Sequence, residues 1–409
     1  MKEVLINIGV IGMGNCGGQM AQAAAEKGFD AVAINASKKD LDLLPDSVSK
    51  FMVGDGRGTG KNRDDARMFM NERINMLQDD EIVRFIESHD AIVVATSIGG
   101  GFGSGASFVV YQLLSEMYPD KAIIIAGVFP FSQESWTPHY HAIGWLQELD
   151  GMEASYLLYD NDRLNAQRGS NTADIMKQVN AQFAENLCVI RGDAIGLTTT
   201  GGIDNRDMMT TLSVPGRIVI DTMSLDESDV LDRNIAKTVL EHINKESAHA
   251  ELVDDKEIKV SAVMYTLHRN FAPYTVELKA DVQSVFGDHI TDYDNFADLD
   301  DTSDEPDSIS VILSGLTSPT MRVNRLISNF QRMENNISSR KQSTSKLGTV
   351  NTGNSSLGLK AKSFAATATP TKKAPDRAAI LGKYAKSVAT KETAMANAIQ
   401  AMKDANDKM

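Results

Sequence analysis

Ser97 to Ala106 reads SIGGGFGSGA, with glycine at 99, 100, 101, 103 and 105, between the apolar run Ala91–Ala95 and a second run from Ser107 to Leu114. Glycine-rich backbone at a strand-to-helix junction turns amide N–H groups inward, and the helix dipole adds partial positive charge. The chemistry this predicts is the binding of an oligophosphate, with the Ser104 hydroxyl as a further donor. A second loop, Gly12-Met13-Gly14-Asn15-Cys16-Gly17, fits G-x-G-x-x-G after a strand. Its partner in an NAD enzyme would be an acid about 20 positions on, and Asn35 stands there instead. A Rossmann NAD-dependent oxidoreductase is therefore a rival reading that lacks its best discriminator. A third loop, Gly56 to Asn62, has Asp55 where an ATP loop needs glycine and Asn62 where it needs a hydroxyl. Further along, Gly202-Ile203-Asp204-Asn205-Arg206-Asp207 sets two carboxylates three apart at an expected helix start, on one face, where acids are favoured by the helix dipole.

The elements that position these groups alternate. Residues 4–11, VLINIGVI, form a continuous apolar run with β-branched residues, as a strand buried on both faces requires. A helix of small residues follows from Gln19 to Lys27. Further strands are expected at Ala31–Ile34, Ile92–Ala95, Ile123–Val128 and Tyr156–Tyr159. Strands alternating with helices predict an α/β fold with a doubly wound parallel sheet. A long central helix is predicted from Ser170 to Leu187. Its apolar residues Ile175, Val179, Phe183 and Leu187 recur every four positions, and Asn171 or Thr172 is its cap. A smaller α+β second domain has strand-like runs at Ile218–Ile220, Val260–Leu267, Tyr274–Val282 and Ile309–Leu313. The acid-rich stretch from Asp292 to Asp307 reads as a solvated loop. Met321 to Ile337 is a C-terminal helix. The expected divisions are an N-terminal domain over 1–169, the central helix over 170–190, the second domain over 191–316, the C-terminal helix over 317–337 and a flexible basic tail over 338–409.

Composition narrows the class. The 409 residues are 42% hydrophobic and 23% charged, ordinary for a globular protein. No run of apolar residues approaches the length of a membrane span. The opening Met1-Lys2-Glu3 lacks the pattern of a secretory leader. Two cysteines, Cys16 and Cys188, make no disulfide framework. The expected location is the cytoplasm. The net charge of −14 conceals an asymmetry: residues 340–409 hold thirteen basic and four acidic side chains, net +9, which leaves −23 for residues 1–339. An acidic body repels nucleic acid phosphates, whereas the tail attracts acidic surfaces.

GGGFGSGA resembles the GGGTGTG signature of the tubulin and FtsZ superfamily of GTPases, with Phe102 at the usual threonine. Gly14-Asn15-Cys16-Gly17-Gly18-Gln19 resembles the tubulin run G-Q-C-G-N-Q. In order, Asn35, the loop Gly58-Thr59-Gly60-Lys61-Asn62, Phe129-Pro130-Phe131 with Glu134, and Asp160-Asn161-Asp162-Arg163-Leu164 also agree. The similarity spans about residues 4–330, and the divergent details with the basic tail look most like TubZ, the plasmid- and phage-encoded branch that segregates DNA. The resemblance implies a GTP/GDP site on amides of Gly12, Gly14, Asn15 and Cys16, of Gly58, Thr59, Gly60, Lys61 and Asn62, and of Gly100, Gly101, Phe102, Gly103, Ser104 and Gly105. Gln19 and Asn35 would lie nearby, Glu134 would bond the ribose, and Asn161 with Asp174 would read guanine, with Asn171 the rival for Asp174. Mg would be held through phosphates and water rather than by protein ligands. The catalytic acids, Asp204 and Asp207, would serve the next subunit of a head-to-tail filament; Gly202 stands where FtsZ has asparagine. A non-hydrolysing structural relative is the competing reading within the family. The tail would contact a DNA-bound adaptor, with weak direct DNA binding as the competitor and no membrane partner.

Overall fold

The computed structural model describes residues 5–164, 171–193, 203–224, 235–252, 262–268, 280, 291–297 and 308–345. In chain order the N-terminal elements are β1 (Ile8–Met13), α1 (Gly14–Glu26), β2 (Asp30–Asn35), α2 (Lys38–Asp42), β3 (Ser49–Met52), α3 (Arg63–Glu72), α4 (Asp80–Glu87) and β4 (Ala91–Ser97). They continue with α5 (Phe102–Met117), β5 (Ala122–Phe129), α6 (Trp136–Leu149), β6 (Ser155–Asp160) and α7 (Thr172–Arg191). Then come α8 (Asn205–Leu212), β7 (Gly216–Ser224), α9 (Ile235–Lys245), β8 (Ala262–His268), β9 (Thr291–Ala297), β10 (Ser308–Leu316) and α10 (Thr320–Ser345).

The strands form one sheet in the order β3-β2-β1-β4-β5-β6-β7-β10-β8-β9. Every neighbouring pair from β3 through β7 is parallel; β10 is antiparallel to β7 and β8, and β9 is parallel to β8. The α/β doubly wound expectation holds, and the strands of the second region extend the same sheet. Strands β1, β4, β5 and β6 are almost wholly buried, as expected for runs rich in Ile, Val and Ala with helices on both faces. The order in which strands are added reverses between β1 and β4: β2 and β3 lie on one side, β5 and β6 on the other. In such sheets ligands bind at the carboxyl ends of the strands beside this switch point.

Some boundaries differ from those expected. Strand β1 begins at Ile8 and runs through Gly12 and Met13, so part of the first glycine motif is sheet, paired with β2 and β4. Helix α1 starts at Gly14 rather than near Gln19. The acid-rich stretch is not all loop. Thr291–Ala297 pairs in register with β8, where strand formers Thr, Tyr and Phe and a waiting ladder outweigh the charge. Helix α10 continues to Ser345, eight residues into the expected tail, because glycine and proline are missing until Gly348. The strand expected at Tyr274–Val282, apart from Ala280, and the tail beyond Ser345 fall outside the described residues, as does Gly202.

Helix α7 packs its four-residue apolar series against the sheet: Ile175, Val179, Phe183 and Leu187 are each at most 1% exposed. Its polar contribution is Asn186, whose Nδ2 donates to the Tyr159 hydroxyl at 3.0 Å and lies 2.9 Å from His249 Nε2. Tyr159 stacks on His249, their ring centroids 4.5 Å apart. Burial holds the His249 imidazole down at about 4. The unfolded chain protonates this ring near 6.5, whereas the folded one stays neutral until about 4, so acidification through that window favours unfolding. Denaturant titrations should show stability falling by on the order of 3 kcal/mol between those two pH values from this group. A His249→Gln variant should flatten that part of the profile, and an unchanged profile would contradict the assignment.

Candidate functional site

A cleft of about 230 Å³ lies at the carboxyl ends of β1, β4, β5 and β6. Asn15, Cys16 and Gln19 reach it from the first turns of α1, and Ser97, Gly99, Gly100 and Gly101 from the loop before α5. Lys61 enters from the β3–α3 loop. Val128, Pro130, Glu134 and Pro138 come from the segment after β5, Asn161 from the end of β6, and Met176 with Asn180 from α7.

Two helix N-termini meet at this cleft. The first N–H groups of any α-helix lack intrahelical partners, and α1 and α5 have neither a side-chain cap nor an acid in the first turn. Helices α2, α3, α7 and α8 are instead capped by Ser37, Asn62, Asn171 and Asp204, while α6, whose Pro138 also lines the cleft, is uncapped like α1 and α5. Uncapped helix ends with their dipoles aimed at one cleft form an anion site.

The glycine loop is held from behind through its carbonyls. Arg63 Nη2 donates to Ser104 O at 3.0 Å, Arg67 Nε to Gly105 O at 3.1 Å and His141 Nδ1 to Gly100 O at 2.9 Å. Ser104 Oγ also donates to Gly100 O, so the hydroxyl expected to face phosphate is engaged within the loop. Both arginines are tied to Glu148. Burial lowers the His141 pKa, keeping the ring neutral beside Lys61 and Arg63. The glycines permit a close approach between loops. A Cβ on Gly101 would stand 2.5 Å from Lys61 Cα, and one on Gly14, whose φ is 74°, would stand 3.0 Å from Gly103 N. Lys61 itself has a φ of 64°, the one non-glycine with positive φ among the described residues. Such backbone is strained, and it occurs where the Gly56–Asn62 loop touches the Ser97–Ala106 loop.

Other expected contacts lie behind the cleft lining or beside it. Gly12 is sheet, and Phe102, Gly103 and Gly105 are buried in the first turn of α5. Asn35 spends its amide on Asp40 Oδ2 and Ser37 N, which argues against the dinucleotide reading in which it binds ribose. Gly58 N donates to Ala36 O at 2.8 Å; Thr59 is buried, and Gly60 has a φ of 54° in the same turn. Asn62 caps α3. Asp174 is exposed, and its carboxylate accepts from Asn171 Nδ2 at 2.6 Å in the first turn of α7. The face of α7 that lines the cleft is instead Met176 and Asn180, one turn apart. Asn180 is 9% exposed, and among the described residues its amide has no hydrogen-bond partner. Sequence reading missed this pair. The signal lay beside the apolar series 175, 179, 183: an i, i+4 pair rotated by one position, ending in an amide.

Burial, with Glu134 adding repulsion, pushes the Cys16 thiol up to about 12, so it is a neutral donor at the cleft and not a nucleophile. Asn161 Nδ2 donates to Phe129 O at 3.1 Å, which fixes the amide and leaves Oδ1 as acceptor. Glu134 Oε1 accepts from Phe131 N at 3.0 Å.

Asp204 and Asp207 lie elsewhere. Asp204 is the N-cap of α8, its Oδ1 accepting from Asp207 N at 2.9 Å, while Asp207 Oδ2 accepts from Asp204 N at 3.0 Å. This reciprocal capping box uses one oxygen of each carboxylate and leaves the other. The two acids therefore face each other across the helix start. Between them Asn205 Nδ2 donates to Leu5 O at 3.0 Å, just before β1, so the pair sits at the amino ends of the parallel strands. The cleft is at their carboxyl ends, about 20 Å away along six residues of β1.

Residues 7–168 match the model described as Tubulin/FtsZ family, GTPase domain. The tubulin-like protein CetZ of Pyrococcus abyssi (strain GE5 / Orsay) is 26% identical over 186 residues, 44% of this chain and 50% of that protein. The tubulin-like protein TubZ of Clostridium botulinum C phage is 25% identical over 220 residues, 53% of this chain and 58% of that protein. The chain thus spans about half the length of these curated relatives. Among solved structures, CetZ2 from Haloferax volcanii, a GTPgS-bound protofilament, superposes with a TM-score of 0.63 at 20% identity, covering 82% of this chain and 99% of that one. The tubulin/FtsZ resemblance is matched over residues 7–168, on a fold shared with these solved structures, and CetZ relatives match as well as TubZ does.

Replacing Gly101 by alanine forces Lys61 or the start of α5 to move. Titration with fluorescent GDP should show affinity reduced at least tenfold with the circular dichroism spectrum retained. Unchanged affinity would show that the junction of the two loops does not shape the site.

Proposed function

We propose that this protein is a GTP-dependent, self-assembling filament protein that hydrolyses GTP at the junction between successive copies. The observation that carries the reading is polarity: the oligophosphate cleft opens at one end of the sheet and the acid pair is fixed at the other. One copy cannot bring both to the same phosphate, whereas head-to-tail stacking does. The triphosphate binds at the N-termini of α1 and α5 with Lys61 as the nearby cation. No cluster of acidic, histidine or cysteine side chains among the described residues would hold a metal, so Mg would be carried by the nucleotide's phosphates and water and would supply charge neutralisation there. Asp204 and Asp207 of the following copy accept hydrogen bonds from the attacking water through the oxygens that the capping box leaves. Similarity to a GTPgS-bound CetZ2 protofilament supports the same arrangement.

Guanine recognition falls on Asn161 and Asn180 in this reading, with Met176 against the base, rather than on Asp174. An amide supplies both a donor and an acceptor, and a base that leaves a buried amide unpaired is strongly disfavoured. Glu134 remains the ribose ligand.

The finer reading, movement of plasmid or phage DNA through a DNA-bound adaptor, rests on the charge contrast between the +9 tail and the −23 body. Removing residues 346–409 should abolish adaptor capture in a pull-down and leave GTP turnover intact; loss of turnover would contradict a tail devoted to cargo.

Phosphate release per subunit should rise steeply above a threshold protein concentration. Asn caps a helix as well as Asp, so Asp204→Asn should keep stability and GTP binding but lower turnover about a hundredfold, leaving persistent polymers. Specific activity independent of concentration, or normal rates in this variant, would contradict the proposal.

A further inference from the structure

Arg322, in the first turn of α10, is fully buried, more than 150 residues beyond the loops it contacts. Its Nε donates to Asp160 Oδ2 at 2.6 Å, its Nη2 to Pro130 O at 2.8 Å, and Nη2 lies 3.4 Å from Asp162 Oδ2. The guanidinium sits 4.6 Å from the centroid of the Phe129 ring. Asp162 in turn accepts from Ser132 N at 3.1 Å and from the Ser132 hydroxyl. One cation thus ties together the carboxyl ends of β5 and β6. Those two ends carry Pro130, Glu134 and Asn161 into the cleft, and Asn161 is anchored to Phe129 O. Arg325, one turn on, reaches the same Asp160 oxygen at 3.3 Å and Glu251 at 3.7 Å.

This arrangement is costly if stability alone is at issue. Removing a pair of charges from water costs several kcal/mol per ion, and apolar replacements of such pairs are often neutral or stabilising. Arg322 also leaves Nη1 buried without a partner. What an apolar pair would not supply is a planar fork that fixes two strand ends in one mutual position.

We infer that Arg322 is a positioning residue for the base and ribose side of the nucleotide cleft, and that through it the docking of the C-terminal helix is energetically linked to nucleotide binding. The inference rests on the nucleotide reading above. Linkage is reciprocal: if a docked α10 holds Asn161 and Glu134 in place for a guanine nucleotide, the nucleotide must hold α10 in place to the same extent. The helix runs on to Ser345, where the basic segment begins, so the state of the cleft is felt at the base of the tail.

Two measurements on the full chain test this. In the wild type, saturating GDP should slow amide exchange in residues 320–333 about tenfold, and more than in α4, which lies away from the cleft. Equal slowing in both helices, or none in α10, would overturn the linkage. In the double variant Arg322→Met with Asp160→Leu, the cleft loses its fork while the charges leave together. GDP affinity should fall about tenfold, and the preference for GDP over IDP, which lacks the 2-amino group, should fall toward one. Arg322→Lys, which keeps the charge without the fork, should move both in the same direction by about threefold. A folded double variant with wild-type affinity and preference would overturn the positioning role. Wild-type protein that binds no GDP would instead overturn the nucleotide reading itself.

Discussion

Two helices end at one cleft with their first N–H groups unpartnered, and the remaining architecture serves that electrostatic fact. Four other helices have a side chain that satisfies these donors, whereas α1, α5 and α6 have neither such a cap nor an acid in the first turn. The parallel sheet makes this possible, since each strand delivers the chain to the same edge and each following helix starts there. The reversal of strand order between β1 and β4 opens the space. Around it, Arg63, Arg67 and His141 hold the glycine loop by its carbonyls. In the proposed reading the backbone, rather than any one side chain, is the main phosphate ligand.

The same sheet imposes polarity. A parallel strand has unlike ends, and the two candidate sets are placed at opposite ones: the cleft beyond Met13 and Ser97, the acid pair beside Leu5. Asn205 makes the second attachment, reaching the backbone just before β1. Buried polar links carry this geometry across the molecule. Asn186, Tyr159 and His249 join the central helix to the sheet, and Arg322 joins the C-terminal helix to the ends of β5 and β6.

What the sequence made legible followed from local physics. The apolar runs of β1, β4 and β5 read as buried strands, and the four-residue period of α7 located the central helix, with its cap narrowed to Asn171 or Thr172, of which the structure shows Asn171. Glycine density marked the loops that meet at the cleft, because such close approach of backbones requires it. The acid pair was visible by spacing, but its mutual capping was not, because whether a carboxylate faces solvent or its neighbour's amide depends on where the helix begins. Asp174 was the natural choice for a base contact by charge and position; the rotation of α7 against the sheet turns Met176 and Asn180 to the cleft instead. The pairing of Arg322 with Asp160 left no trace in local pattern, since a buried ion pair so distant in sequence is set by tertiary packing alone. Strand β9 was hidden by its acids, which an available ladder outweighed.

The claim at the centre is that the phosphate site and the acids which complete it belong to different copies. Mixing two inactive variants tests it most directly: Gly101→Ala, which keeps the acids and loses the nucleotide, and Asp204→Asn with Asp207→Asn, which binds the nucleotide and lacks the acids. The account predicts that phosphate release, near background for each alone, reappears on mixing, because a Gly101→Ala copy can supply its carboxylates to a nucleotide held by the other. Silence of the mixture, with both proteins folded and the acid-deficient variant loaded with GTP, would contradict it.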